Sequence, residues 1–192
     1  MSALSDALKG LEALCGGPLA VRGEGNDTVA TVPAAKAREA VAVLKAAHGF
    51  NMLTDLTAVD FMGFGKGTAN PSPAPAGARF KLVYRLLKLD LATGMADARL
   101  ALDVWAEGDA VPATVKDLFP NADWLEREVW DMFGVRFGDR PDIKRILMYP
   151  EFQGHPLRKD YPIKKRQPLI GPTEERPRER LTEADLRPRL AE

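Results

Sequence analysis

The residues with most chemistry to offer sit in one stretch, WLEREVWDMFGVRF, running from Trp124 to Phe137. Glu126, Glu128 and Asp131 lie there among large apolar side chains, with Arg127 between them. Such a cluster could supply a general acid and a base, or form a charged seam on which another segment docks. Hydrolysis by a carboxylate pair needs both groups to flank one bond, and on a helix Glu126 and Glu128 project roughly 200° apart. Glu128 and Asp131 do share a face, but no nucleophile or metal-ligand set accompanies them. The spacing therefore favours a docking seam over a free-standing hydrolase.

A helix through this stretch has Asn121 or Asp123 as its cap and Gly134 as its stop. Leu125, Val129, Met132 and Phe133 then form one stripe that packs on a sheet. Trp124, Arg127 and Asp131 fall on the opposite side, where Arg127 and Asp131, four residues apart, are spaced to pair. Glu128 lies beside the apolar stripe and is the carboxylate expected to be half-buried; Glu126 lies on the other border. A half-buried carboxylate either titrates upward or meets a cation that keeps it ionised. Arg140, Lys144, Arg145, Arg158 and Lys159 follow in RPDIKRIL and GHPLRKDYP, so a strap folding back over the helix could neutralise it.

Other chemistry-bearing residues carry less. Gly154 and Pro156 flank His155 in a stiff bend, which suits a positioned hydrogen bond better than a proton relay. His48 closes a helical pattern and reads as a helix-end cation or a surface residue. Gly63, Gly65 and Gly67 alternate, but their spacing is not that of a phosphate loop, and no helix follows to present amide groups. The basic run RKDYPIKKRQP suits nucleic acid weakly and a carboxylate-bearing protein partner equally well.

The elements that must position these residues follow from periodicity. An amphipathic first helix carries Leu4, Ala7, Leu8 and Leu11 at helical spacing, and a short β-branched strand, DTVATVP, follows it. A second helix places Ala37, Ala40, Val41, Leu44 and Ala47 on one stripe, with Gly49 at its left-handed end. FNMLTDLTAVDFM reads as a strand. RFKLVYRLLKLD and ARLALDVWAE alternate as two strands joined by the hairpin turn LATGMAD, their inward sets being Phe80, Leu82, Tyr84 and Leu86, and Leu100, Leu102 and Val104. The expected class is α+β: a mixed, largely antiparallel sheet with helices packed on one side, followed by an extended, Pro-rich C-terminal arm. The core domain spans 1–140, with a flexible loop over 63–78, and the arm spans 141–192.

Eight of the 15 prolines lie from Pro141 onward, which rules out helix and central strand through most of that segment. An arm of this kind orders only by lying along its own domain or along another protein. Only LTEADLRPRL, with Thr182 as its cap, reads as a short helix there. The core lies upstream of residue 150, so truncation at that point is expected to leave the domain folded but to remove its dock.

Composition sets the outer limits. With 192 residues the chain has room for one domain and an extension. Lys plus Arg equal Asp plus Glu at 27 each, which argues against nucleic acid and anionic membrane surfaces as global partners. A single cysteine, Cys15, cannot make an internal disulfide or hold a cluster. No run approaches the ~20 apolar residues that span a bilayer. The reading is a soluble protein of a reducing compartment, with a seat on a membrane complex left open.

EREVWDMFGVRF, RPDIKRIL and EFQGHPLRKDYP resemble, in order and spacing, the signature of the 30 kDa subunit family of respiratory complex I, NADH:quinone oxidoreductase. FNMLTDLTAVDF and FPNADWLERE fit the same pattern, and the resemblance covers roughly residues 28–168. Members usually read Gly-His-Pro where this sequence has Asp139-Arg140-Pro141, so a cation is kept at position 140. The resemblance implies a cofactor-free peripheral-arm subunit, with FMN and iron–sulfur clusters in partner subunits and electrons passing there from NADH to quinone, coupled to proton translocation. It implies a D-type quinone-site neighbour, iron–sulfur neighbours, and a peripheral place on the cytoplasmic face of the bacterial inner membrane. A corresponding subunit of a related membrane-bound hydrogenase or formate hydrogenlyase is the alternative. No catalytic, cofactor or metal residue is expected on this chain. The interface or structural motif falls on Glu126, Arg127, Glu128, Asp131, Phe133, Gly134, Arg140, Pro141, Arg145, Gly154, His155, Pro156, Arg158, Lys159, Asp160 and Tyr161.

Overall fold

Strand alternation decides the architecture. In β4 (Ala78–Leu89) Leu82, Tyr84 and Leu86 point to one face, and in β5 (Ala96–Glu107) Leu100, Leu102 and Val104 do the same. The two strands pair antiparallel with Tyr84 opposite Leu102, so both apolar sets fall on a single side. The computed structural model, which describes residues 3–64, 74–75, 77–107 and 111–167, joins them to three further strands. These are β1 (Val21–Arg22), β2 (Val29–Pro33) and β3 (Met52–Asp60), in the sheet order β1-β2-β5-β4-β3. Only the β2–β5 pairing is parallel. The sheet is mixed and largely antiparallel, as the sequence implied.

Three helices cover the apolar side. In α1 (Ala3–Cys15) the residues Ala7 and Leu11 are buried, and in α2 (Ala37–His48) Ala37, Ala40, Val41 and Leu44 are. Gly49 ends α2 at φ 76°, a conformation that costs glycine no Cβ clash. His48 lies at the crossing of these helices, over Gly10, where any Cβ would collide with its ring. It is a half-buried packing residue, which refines the helix-end reading.

The third helix, α3 (Ala122–Phe133), turns Val129, Met132 and Phe133 into the same core. Asn121 does not cap α3 with its side chain; its amide donates instead to the Leu53 carbonyl at 2.7 Å and ties the helix to β3. Each large aliphatic residue buried in this way stabilises by about 1.5–3 kcal/mol, so one continuous core holds all three helices on the sheet. The other face of the sheet is polar at its centre, where Asp103 accepts from Arg22 and Lys81, each at 2.9 Å. Strand β1 and the 3-10 turns at Gly25–Asp27 and Ala34–Lys36 went unforeseen, being too short to show a period. The expected loop over 63–78 falls largely, and the helix at LTEADLRPRL wholly, outside the described residues.

Candidate functional site: the clasped strap

From Gly138 to Gln167 the chain forms no helix or named strand, yet it lies ordered along α3 and the ends of β3 and β4. Extended backbone can lie there only if its amides and carbonyls find partners. Arginines, neighbouring backbone and three carboxylates supply them, and each carboxylate forms one node of a clasp.

The first node is Glu126, whose side chain is 0% exposed. Its Oε1 accepts from the Val115 amide at 2.8 Å, and its Oε2 from Thr114 Oγ1 at 2.7 Å and Arg140 Nη1 at 2.8 Å. Arg140 is equally enclosed and also donates to Asp123 at 2.8 Å. The bridge between Ala113 and Gly138 sets these two segments side by side over the helix. Asp139 precedes the arginine at φ 59°, the one positive φ of a non-glycine residue among the described residues. A glycine would occupy that conformation with less strain.

Asp131 makes the second node, also with its side chain at 0% exposure. One oxygen takes Arg145 Nη1 at 2.5 Å; the other gathers three successive backbone amides, Ile146 at 3.0 Å and Leu147 and Met148 at 2.9 Å. Burial alone would raise this carboxyl, but the Met148 amide, the Arg145 guanidinium and the Ile146 and Leu147 amides outweigh it and hold it below the ordinary range. The Asp131 carbonyl faces His155 Nδ1 at 3.0 Å; a carbonyl only accepts, so Nδ1 carries the proton. His155 packs against Trp130 and fills the space over Gly134, where a Cβ would stand 2.6 Å from the ring. The Leu157 amide completes the node by donating to the Met132 carbonyl at 3.0 Å.

Asp60 forms the third node, at the end of β3. It accepts from Arg79 at 2.7 and 3.0 Å, from the Met62 amide at 2.9 Å and from the Lys159 amide at 2.8 Å. Burial opposes ionisation here too, and the Arg79 hydrogen bonds, with the Lys159 and Met62 amides, overcome it and lower the carboxyl. Arg79 reaches on to Asp160 at 2.8 and 3.0 Å. That contact, with Arg158 beside it, holds Asp160 well below its ordinary value.

Several sequence expectations change at these nodes. Glu128 is exposed, whereas Glu126 is the enclosed carboxylate, because residues 112–115 and 138–140 cover the flank of α3 on which Glu126 lies. Arg127 does not pair with Asp131. It donates to the carbonyls of Lys144 at 3.0 Å and Arg145 at 2.9 Å, while Asp131 takes Arg145. Of the remaining motif residues, Phe133 belongs to the core, Pro141 is exposed and Pro156 half-buried. Arg145 donates to the Gly154 carbonyl at 3.0 Å, and Tyr161 stacks on Phe152 at 6.0 Å. Asp60, Arg79 and Thr114 were missed, and Asp123, expected only as a possible cap, takes Arg140. Asp60 left a signal, since it continues the inward register of Leu56 and Ala58, and an inward aspartate requires a partner.

A general acid needs a carboxyl raised toward neutrality. Asp60 and Asp131 are driven the other way, and every donor around them is already committed to the strap. The arrangement fastens a segment. Its outer side is open among the described residues: Leu147, Leu157 and Ile163 are 56%, 52% and 100% exposed, with Lys144, Lys159, Lys164 and Arg166 exposed among them.

The sequence pattern described as "Respiratory-chain NADH dehydrogenase, 30 Kd subunit" matches residues 30–167, a span that takes in most of the sheet, α3 and the three nodes of the clasp. The chain belongs to that family. The C-type NADH-quinone oxidoreductase subunit of Trichlorobacter lovleyi is 39% identical over 155 residues, covering 80% of this chain and 86% of that one. A Methylococcus capsulatus protein, named as the C/D subunit of NADH-quinone oxidoreductase, is 42% identical over 115 residues, 60% of this chain and 18% of its own. Among solved structures, a trypsin-resistant fragment (1–134) of Nqo5 superposes with a TM-score of 0.58 at 33% identity, over 73% of this chain and 98% of the fragment. As a member of the 30 kDa-subunit family, the protein is a component of a multi-subunit NADH-quinone oxidoreductase. Among the described residues no helix is long and apolar enough to cross a membrane.

Proposed function

We propose that this protein is a cofactor-free structural subunit of the peripheral arm of complex I, with no catalytic site of its own. It holds a D-type quinone-site neighbour and iron–sulfur neighbours in register, on the cytoplasmic face of the bacterial inner membrane. Electrons pass from NADH through FMN and iron–sulfur centres in those partners to quinone, coupled to proton translocation. The contribution made here is geometric, because electron transfer needs its centres at fixed separations, and a clasped surface fixes its neighbours by burying area against them.

One observation carries this reading. The strap is fastened on its inner side by Glu126, Asp131 and Asp60, and its outer side displays Leu147, Leu157 and Ile163 among lysines. Apolar side chains held open on a rigid frame are what a permanent protein contact needs. The Methylococcus relative, whose name joins C and D, supports the choice of neighbour.

The test is recovery of the tagged protein from native membranes with mass spectrometry of what accompanies it. The wild-type protein should bring down the quinone-site and iron–sulfur subunits, and Leu157→Asp with Ile163→Asp should lose the former while the isolated protein keeps its melting temperature. Full recovery with the double variant would refute the strap as the dock. A protein recovered alone and turning over substrate would refute the scaffold.

A further inference from the structure

The clasp occupies the edge of the sheet at β3 and the covered face beneath α3, which leaves the opposite face of the sheet without a helix among the described residues. By register, that face carries Val29 and Ala101 beside Arg85, then Thr31, Asp103, Val83 and Thr57, then Trp105, Lys81 and Val59, and at this last end the Phe61 ring packs on Trp105 at 4.9 Å. Its charges are unevenly paired. Asp103 takes both Arg22 and Lys81, each at 2.9 Å. The guanidinium groups of Arg85 and Arg99 are left exposed, with no hydrogen bond or ion pair among the described residues. Asp55, the register partner of Arg85, makes no ion pair with it.

These two arginines stand on neighbouring strands, since Arg85 faces Ala101 and Arg99 faces Leu87. Between them is a concavity of about 310 Å³ lined also by Asn26, Asp27 and Thr54. Two planar, always-charged forks at the mouth of one hollow match carboxylates presented as a pair. The half-buried apolar residues Val29, Val83 and Ala101 adjoin them, so an occupant gains burial together with its charge pairing.

We infer that the part of this face around Arg85 and Arg99, open among the described residues, is a second docking surface, taking an acidic segment of a neighbouring subunit whose carboxylates pair with Arg85 and Arg99. This rests on the scaffold reading and adds a contact on the side of the sheet away from α3. One domain gripped on two sides fixes a neighbour's orientation as well as its position.

The experiment uses the full-length protein assembling in its own membranes. Arg85→Glu with Arg99→Glu changes only exposed side chains, so the purified variant should keep the wild-type melting temperature while recovery of the complex falls about tenfold or more. Arg85→Lys with Arg99→Lys should retain most of the assembly. Cross-linking from a cysteine placed at position 85 should map to an Asp- and Glu-rich stretch of one neighbour. If the charge-reversed variant assembles at wild-type yield while wild type also assembles, the inference fails and the scaffold reading stands. If wild type itself recovers no partner, the scaffold reading fails first. Saturable binding of inorganic phosphate to the free protein, abolished in the Glu variant with assembly untouched, would reassign the hollow to a small anion and overturn the proposal.

Discussion

Arg140 and Glu126 meet inside the protein, Nη1 to Oε2 at 2.8 Å, with side chains 1% and 0% exposed. Truncating one member of such a pair strands the other as a buried charge. Arg140→Ala should therefore lower the unfolding free energy by about 3–5 kcal/mol. Replacing both by apolar residues of similar volume should recover much of that loss, and urea unfolding of the two single variants and the double one measures the coupling.

Asp139 bears a backbone cost to bring that arginine in, at φ 59°. Asp139→Gly removes the cost but gives the unfolded state more freedom, and the two effects oppose. Relief should win by about 0.5–1 kcal/mol, seen as a higher urea midpoint at unchanged slope.

Gly134 is constrained twice, by φ 74° and by the His155 ring 2.6 Å from where its Cβ would stand. Gly134→Ala should cost about 2 kcal/mol or more in the wild-type background. In a His155→Ala background only the backbone term remains, and the cost should fall to about 1 kcal/mol. Equal costs in the two backgrounds would show that the ring does not press on residue 134.

Acid should release the strap before it unfolds the sheet. Asp131 and Asp60 are both lowered from 3.8, so their contribution is complete above that value and lost as pH falls below it through the depressed native values. Arg145 lies 5.5 Å from the Trp130 ring, which makes Trp130 fluorescence a reporter of release. Asp131→Asn should cost about 2–3 kcal/mol at neutral pH and flatten the acid transition. Hydrogen exchange at Ile146, Leu147 and Met148 should accelerate in the same variant.

Periodicity revealed most of the fold. The inward sets of β4 and β5, the stripe of α2 apart from Ala47, which is exposed where the helix runs past the core, and the glycine ends of α2 and α3 were readable, because each depends on neighbours within a turn or a strand. The choice between Glu126 and Glu128 was not readable. Both border the apolar stripe of α3, and the choice depends on which flank residues 112–115 and 138–140 cover, a pairing of distant segments that no local pattern encodes. The same limit hid the Lys159 amide on Asp60, made across 99 positions of sequence. Truncation at residue 150 would remove that amide, the Asp160 partner of Arg79 and the ring over Gly134, three contacts by which residues beyond 150 are tied to β3, β4 and α3.

One oxygen of Asp131, Oδ2, reads only main-chain amides, and any residue but proline offers one. The route of this segment is thus written on the helix, while the side chain of Leu147 is left free to vary. Lineages can retune the outward surface to suit a changing neighbour without rerouting the backbone beneath it.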